Sequence, residues 1–195
     1  LENYDKAETG EFCEAEWINI LHVGRVYEVK NQLFITEIEE EFKKRDKNIR
    51  ILCAGKGIQE YMDEVQEVIK NKELQNHMKM LGVRKDVSEL LRKAKAFILP
   101  SLYEGMPLVL IEAQASGLNC VSADTFSKEV DFGIDAIEWL PLQAGAEKWA
   151  DAIEAAIEKG RKEKSEVVTA IEEKGFDSRI FTERLCNLYT QNVRK

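Results

Sequence analysis

The sequence lacks the excess of positive charge that proteins binding nucleic acids or anionic membranes usually carry. It contains 28 Lys and Arg against 36 Asp and Glu, which gives a formal net charge of −8 at pH 7. This balance argues against nonspecific binding to nucleic acid or to a membrane surface, although it leaves room for a small basic pocket. The sequence also has no apolar run near the ~18–20 residues of a membrane-spanning helix, and no signal peptide is visible.

Cysteine is scarce, and the four cysteines lie far apart without any CxxC spacing. Cys53 and Cys120 stand inside apolar, strand-like runs, where a buried thiol is the ordinary structural role. Cys13 and Cys186 lie towards the two ends of the chain. This pattern predicts a reducing compartment, and we therefore expect a cytoplasmic protein.

Two familiar nucleotide-binding motifs are absent as well. The GxGxxG fingerprint of dinucleotide-binding folds would follow the first strand, but the sequence there reads GRVYEV at residues 24–29. The phosphate-binding motif GxxxxGK(S/T) does not occur in the chain. The two commonest sequence signatures of nucleotide binding are thereby excluded.

What the sequence does contain is a regular alternation of short apolar runs and helical patterns. With 195 residues, of which 44% are hydrophobic, the chain can form one domain with a substantial core. The apolar runs show no clean alternation, as expected of parallel strands covered on both faces. The pattern predicts an α/β fold: a doubly wound, Rossmann-like parallel sheet of about six strands, with helices on both faces and a helical C-terminal tail. The predicted strands cover residues 17–23, 49–54, 78–81, 96–99, 120–122 and 137–140.

Helical patterns fill most of the intervening segments. Asn31 and Asp86 are candidate N-caps, while Pro107 suits the first position of a helix that Gly117 would end. The acidic run at residues 37–41 is interpreted as a solvated helix face. The predicted helices cover residues 31–45, 58–70, 86–93, 107–116, 146–159 and 162–174, with a last one from Asp177.

The chain divides into three predicted parts. Residues 1–15 are polar and acidic and are interpreted as an inter-domain linker, and residues 16–160 as the ligand-binding domain. Residues 161–195 are expected to form helices that pack on this domain or on a domain outside the chain. The chain does not begin with Met, so we expect it to be a piece of a longer protein.

Polar and glycine-rich loops follow the predicted strands. The first loop carries Gly24, Arg25 and Lys30, and the second reads Gly55-Lys56-Gly57. Ligands of doubly wound sheets bind at the carboxyl ends of the strands, where these loops converge. Arg offers a bidentate fork, Lys a point charge, and glycines allow close backbone approach. The combination predicts a phosphorylated, nucleotide-type ligand.

The stretch SLYEGMPLVLIEAQAS, residues 101–116, is the most informative of the chain. It begins as a Gly/Pro loop with Glu104 and continues as an apolar helix that carries Glu112. Because this helix has almost no polar face, it is expected to be buried on most sides. A carboxylate in such a helix would need a specific partner to offset its lost solvation. Two acids beside the positive end of a helix predict a site for a polar ligand.

Four segments together resemble the donor-binding, C-terminal domain of retaining family 4 glycosyltransferases of the GT-B fold. The carrying motif is the pair of glutamates in EGMPLVLIE, followed by AQASGLNCVSADT. HVGRVYEVKN resembles the family's basic loop, LCAGKG its second glycine turn, and LGVRKDVSELLRKAKAFILPSLYEG the segment leading into the glutamate motif. The likeness covers about residues 17–160. The sequence around SADTFSKEVD resembles that of capsular and exopolysaccharide enzymes.

The resemblance implies catalytic roles for three residues of the chain. Arg25 and Lys30 would bind the donor diphosphate and stabilise the charge that develops as the glycosidic bond breaks. Glu104 would contact the hydroxyls of the donor sugar.

The resemblance also implies a set of donor-binding residues. Glu112 would accept hydrogen bonds from the ribose, and Val83 and Arg84 would lie near the base. Gly55 would let the nucleotide approach, and Gly24 belongs to the basic loop. The backbone N–H groups at the start of the glutamate motif would hold sugar and phosphate; they belong to Gly105, Met106 and Leu108.

Such enzymes use no metal and no cofactor beyond their substrate, a nucleotide-diphosphate sugar that we expect to be of the UDP type. The absence of an Asp-x-Asp pair agrees with this expectation. The acceptor side of a GT-B enzyme belongs to an N-terminal domain, which we expect to be missing from this chain. The fragment alone is then expected to be inactive, and the full-length enzyme to associate with the inner face of the membrane.

Two other functions fit the same architecture. A sugar-nucleotide 2-epimerase-like domain would share the GT-B fold but lacks this glutamate spacing. A non-catalytic nucleotide-binding domain would be marked by degenerate basic-loop residues, whereas Arg25, Lys30, Glu104 and Glu112 are all present.

Overall fold

The computed structural model describes residues 16–177, which form one sheet of six parallel strands. The strand order is β3-β2-β1-β4-β5-β6, and every neighbouring pair is parallel. This arrangement confirms the predicted doubly wound α/β fold. The strands are β1 Ile18–Val23, β2 Ile49–Ala54, β3 Met78–Gly82, β4 Ala96–Leu99, β5 Cys120–Ala123 and β6 Ile137–Leu140.

Six α-helices of the described residues cover the two faces of this sheet. They are α1 Gln32–Lys44, α2 Gln59–Asn71, α3 Val87–Lys93, α4 Leu108–Ala115, α5 Gly145–Lys159 and α6 Lys164–Lys174. Short 3-10 turns occur at Glu28–Lys30, Lys128–Val130 and Leu142–Ala144. The predicted linker at residues 1–15, Cys13, Cys186 and the predicted helix beyond Asp177 lie outside the described residues.

Neighbouring residues of each strand point into separate cores on opposite faces of the sheet. Ile20 and Ile51 join the core beneath α1, α2 and α5, which includes Phe42, Val65 and Trp149. Leu21 and Leu52 join the core beneath α3 and α4. Because both faces are covered, the strand sequences are largely apolar, as expected of a parallel sheet.

The two predicted N-cap side chains do not cap their helices. Asn31 precedes α1, but its amide donates to the carbonyl of Pro100 at 3.1 Å. Asp86 precedes α3, but its carboxylate binds Arg84. Each side chain therefore bonds to another partner instead of to the N–H groups of its helix. For Asn31 the partner lies in the loop after β4, and for Asp86 it lies two residues earlier in the chain.

Helix α4 begins one residue later than predicted and is not buried on most sides. Leu108 is the first helical residue, after Pro107, and its side chain is 63% exposed. Leu110, Ala113 and Gln114 are buried, whereas Glu112 is exposed. The predicted buried carboxylate is therefore wrong: helix composition cannot show which face a neighbouring layer covers.

The acidic run on α1 is also not uniformly solvated, because Glu39 is fully buried. Its Oε2 accepts the N–H of Ile51 in β2 at 2.9 Å, and its Oε1 lies 3.5 Å from His77 Nδ1. Burial raises the pKa of Glu39 to about 7. No helix among residues 16–177 has the length and apolarity to cross a membrane.

Candidate functional site

The strand order reverses between β1 and β4, which makes the gap between their carboxyl ends the topological switch point of the sheet. Open α/β sheets bind ligands in this crevice. The loop after β1 carries the predicted basic residues, and the loop after β4 carries Glu104. The fold therefore brings together two loops that are distant in sequence, since Lys30 and Glu104 are in contact although 74 positions separate them.

Two adjoining cavities lie at this edge of the sheet. The larger has a volume of about 590 Å³ and contains seven of the predicted residues: Gly24, Arg25, Lys30, Glu104, Gly105, Met106 and Leu108. The smaller, about 350 Å³, lies between the loops after β1, β2 and β3 and contains Gly24, Arg25, Gly55, Val83 and Arg84. The cavities share Gly24 and Arg25, whereas Glu112 lines neither of them.

An ion pair between Lys30 and Glu104 closes the floor of the larger cavity. The two side chains are only 19% and 12% exposed. Ser101 donates its hydroxyl to Glu104 Oε1 at 2.7 Å, and Thr125 donates to the Ser101 carbonyl at 2.8 Å. Glu104 Oε1 is thus engaged by Lys30 and Ser101 and held from two directions.

Backbone contacts fix the two loops against each other. The N–H of Leu102 donates to the carbonyl of Val29 at 2.8 Å, beside the Asn31 bond to Pro100. Asn31 has a φ of 59°, a left-handed conformation that Asn tolerates better than most residues. Contacts within the chain thus hold the two loops together.

A tight backbone contact explains the glycine turn after β2. A Cβ at Gly55 would lie 1.9 Å from the Gly24 carbonyl oxygen, and one at Gly57 would lie 1.6 Å from that of Val26. The glycines thus allow the first two loops to touch, a packing reason that sequence reasoning missed. The predicted role of Gly55 in nucleotide approach remains a prediction.

Arg84 and Asp86 form a bidentate pair beside the smaller cavity. Arg84 Nε lies 2.8 Å from Asp86 Oδ1, and Nη2 lies 2.6 Å from Oδ2. The guanidinium lowers the pKa of the Asp86 carboxyl through these bonds. Val83 beside them is 49% exposed and presents an apolar surface to the cavity.

Two buried polar side chains support the basic loop. His22, at the end of β1, and Gln32, at the start of α1, are both fully buried. His22 Nδ1 lies 3.1 Å from the Ile98 carbonyl, and Gln32 Nε2 lies 3.3 Å from His22 Nε2 and 3.0 Å from the Arg25 carbonyl. Burial lowers the pKa of His22 to about 4, so the ring is neutral at pH 7. Gln32 carries no sequence signal that would have identified it.

The mouth of the larger cavity is apolar and exposed. Tyr103, Met106 and Leu108 line it and are between 54% and 67% exposed. A further hollow of about 500 Å³, between β6 and α5, contains none of the predicted site residues. Within residues 16–177, no three His, Cys, Asp or Glu side chains are grouped as metal ligands.

Comparison with known proteins finds glycosyltransferases among the relatives of this chain. The Putative glycosyltransferase EpsF of Bacillus subtilis (strain 168) is 31% identical over 191 residues, which cover 98% of this chain and 49% of the relative. The UDP-Gal:alpha-D-GlcNAc-diphosphoundecaprenol alpha-1,3-galactosyltransferase of Escherichia coli is 32% identical over 100 residues, covering 51% of this chain and 26% of that protein. The chain therefore spans about half the length, or less, of these curated relatives.

The fold is shared with solved glycosyltransferase structures. The crystal structure of Anabaena Alr3699/HepE in complex with UDP and glucose has a TM-score of 0.74 at 18% identity, covering 94% of this chain and 52% of that chain. The sequence model of the family described as "Glycosyl transferases group 1" matches residues 18–159. This match includes both cavities and both loops of the switch point, and the chain therefore belongs to the glycosyl transferases group 1 family, with the GT-B-type fold that its sequence predicts.

Proposed function

We propose that this chain is the donor-binding half of a retaining, metal-independent glycosyltransferase. It would bind a nucleotide-diphosphate sugar of the UDP type and present a hexose to a glycan or lipid-linked acceptor. The observation that carries the proposal is the meeting of Arg25, Lys30 and Glu104 in one cavity at the switch point. The UDP in the complex of the Anabaena neighbour and the UDP-Gal named for the Escherichia coli relative support the choice of nucleotide.

In this proposal the basic loop binds the diphosphate. Arg25 is exposed in the cavity, and its side chain forms no ion pair with a described residue, so its guanidinium is available for phosphate oxygens. As the bond from the anomeric carbon to the diphosphate oxygen breaks, negative charge grows on the leaving group. Arg25 and Lys30 stabilise that charge, while a new bond forms to the acceptor oxygen and the acceptor proton leaves with the diphosphate.

Glu104 and the start of α4 hold the sugar. Lys30 and Ser101 both engage Glu104 Oε1, which leaves Oε2 to accept hydrogen bonds from sugar hydroxyls. The free N–H groups of Gly105, Met106 and Leu108 precede or begin α4, where the helix dipole favours negative charge. Glu112, one turn along α4, reaches the ribose hydroxyls from its exposed position.

The smaller cavity receives the base. Val83 offers it an apolar surface, and the Asp86-bound guanidinium of Arg84 offers a planar face. Gly55 keeps the cavity open beside the shared residues Gly24 and Arg25. The base and the diphosphate would thus lie on either side of the first loop.

The acceptor would be held by a second domain. The chain spans 49% of the length of EpsF, and we infer that the remainder of such a protein supplies the acceptor side. The apolar mouth formed by Tyr103, Met106 and Leu108 would face that domain. We place the full-length enzyme in the cytoplasm, at the inner face of the membrane, where lipid-linked acceptors are reached.

Calorimetric titration with UDP, GDP and ADP tests this proposal. The chain should bind UDP, and Arg25→Ala should weaken binding about 10–100-fold because a charge-assisted contact to phosphate is lost. Glu112→Ala should weaken binding about tenfold through the ribose. Arg92→Ala and Glu158→Ala, which make the same changes at exposed positions outside both cavities, should leave UDP affinity unchanged. Wild-type affinity in both site variants would overturn the site assignment.

A further inference from the structure

The exposed guanidinium of Arg25 needs an orienting element, because no described side chain pairs with it. A fixed backbone at this position sets the point from which the side chain extends, and so limits the region that its guanidinium can reach. The structure supplies one fixed backbone atom at Arg25, its carbonyl oxygen. That oxygen accepts a hydrogen bond from Gln32 Nε2 at 3.0 Å.

The hydrogen atoms of this arrangement can be assigned from its partners. The Ile98 carbonyl can only accept, so His22 Nδ1, 3.1 Å away, must carry the ring proton. His22 Nε2 is then an acceptor and receives one N–H of Gln32 at 3.3 Å. The second N–H of the same amide goes to Arg25, so Gln32 serves two acceptors at once.

These bonds connect the two strands that flank the switch point. Ile98 lies in β4 and His22 in β1, and Gln32 opens the helix that follows the basic loop. A Cβ at Gly24 would lie 3.4 Å from His22 Nε2 and 3.2 Å from Lys30 Cδ, so the loop is packed closely against the ring. The buried Gln32 Oε1 has no hydrogen-bond partner among the described residues, a cost that the structure tolerates at this position.

We propose that Gln32 is a positioning residue: held in place by the ring of His22, its amide fixes the Arg25 backbone and thereby aims the Arg25 guanidinium at the second phosphate of the bound nucleotide. This inference rests on the proposed function, because it assigns Gln32 a role towards the same diphosphate. Gln32 touches no substrate atom. Its effect on binding passes through Arg25.

The test compares UDP with UMP, which lacks the second phosphate, on the 195-residue chain. Gln32→Met and Gln32→Leu keep the volume but remove both N–H donors. Both variants should bind UDP about tenfold more weakly, the effect of one misplaced charge-assisted contact, and bind UMP as the wild type does. The control is Thr36→Val, which removes another buried polar group one turn along α1, where its hydroxyl donates to the Leu33 carbonyl at 2.7 Å.

The outcomes separate the two proposals. A wild-type chain that binds UDP, with an unchanged UDP-to-UMP affinity ratio in both variants, overturns the positioning role alone. Equal losses for UDP and UMP also overturn it, because they indicate a general structural role. A wild-type chain that binds neither nucleotide overturns the proposed function and this inference with it.

A second test uses the wild-type protein and therefore does not depend on whether a variant folds. Nitrogen-15 NMR of the His22 ring should show the neutral form protonated at Nδ1. Protonation at Nε2 would overturn the inference, because Gln32 Nε2 could not then donate to the ring.

Discussion

Burial changes the pKa of some ionisable residues of this chain and leaves others exposed to water. Glu39 is the clearest case, since it is fully buried on a helix whose other acids partly face solvent. Its pKa of about 7 arises from burial, opposed by His77, the Ile51 N–H and Arg50. In the unfolded chain the same carboxyl would titrate near its ordinary value of 4.5.

This difference makes the stability of the protein depend on pH. Between about pH 4.5 and 7 the unfolded chain loses the Glu39 proton while the folded chain keeps it. The contribution of protonated Glu39 to the free energy of unfolding is complete below pH 4.5, the ordinary pKa of the carboxyl. It is lost as the pH rises through about 7, the pKa in the folded chain. We therefore expect Glu39→Gln to be more stable than the wild type at pH 8, by about 3 kcal/mol at most, with little difference at pH 4.5.

Urea unfolding at both pH values measures this effect. The amide oxygen of the introduced glutamine can still accept the Ile51 N–H, so the Glu39→Gln variant should keep the local geometry. Glu37→Gln, at an exposed position of the same helix, is the matched control and should show no such pH dependence. The same difference in free energy of unfolding between the wild type and Glu39→Gln at both pH values would contradict the prediction.

Sequence reasoning named the residues that meet in the candidate site but not those that hold them in place. Arg25, Lys30 and Glu104 were identified from loops that follow strands, and the fold brings all three into one cavity. Ser101 and Gln32 were missed because a Ser in a loop and a Gln before an apolar run are common. Only the three-dimensional structure shows that they bond to Glu104 and to Arg25.

At the scale of elements, strands and helix ends were predicted to within one or two residues, whereas the buried faces of the helices were not. The sheet is covered on both sides, so apolar runs mark its strands directly. Helix α4 is different, because its apolar side chains surround the axis while the structure covers only one face. Exposed Leu108 and Glu112 therefore could not be distinguished from buried Leu110 by composition.

Arg161 joins the ends of two helices. Its guanidinium donates to the carbonyls of Leu91 and Ala94 at the end of α3, at 2.7 and 2.9 Å, and to that of Ser116 at the end of α4. The last carbonyls of a helix have no intrahelical donors, and the helix dipole favours a cation there. One side chain thus stabilises two C-termini.

We expect Arg161→Met to lower the free energy of unfolding by about 1–2 kcal/mol, because the partly solvated bonds to both helix ends are lost. Arg161→Lys should recover only part of this, since a single ammonium cannot reach carbonyls on two helices at once. Lys164→Met removes the same charge at an exposed position nearby, at the start of α6, and should not lower the free energy of unfolding. Thermal and urea unfolding measure all three, and equal stability of Arg161→Met and Lys164→Met would refute the assignment.

At the scale of the whole molecule, the site is half enclosed. The floor and the loops are fixed by hydrogen bonds, but the mouth exposes Tyr103, Met106 and Leu108 to solvent. Glycosyl transfer needs an acceptor oxygen held about 3–3.5 Å from the anomeric carbon, an arrangement worth several orders of magnitude in rate. The lining of the larger cavity comes from the end of β1, the loop that follows it, the loop after β4 and the start of α4.

We therefore expect the chain to bind its donor but to transfer little or no sugar by itself. The measurement is the release of UDP from a UDP-sugar, with and without a lipid-linked acceptor, for the chain alone and for a protein in which it is joined to the N-terminal half of a relative such as EpsF. Turnover should appear only in the joined protein and should be lost on Lys30→Met, which removes the cation at the leaving group. Rapid acceptor-dependent turnover by the chain alone would show that these loops hold both substrates. The acceptor site would then have to lie on the apolar mouth, where Tyr103→Ala would raise the KM for the acceptor and leave that for the donor unchanged.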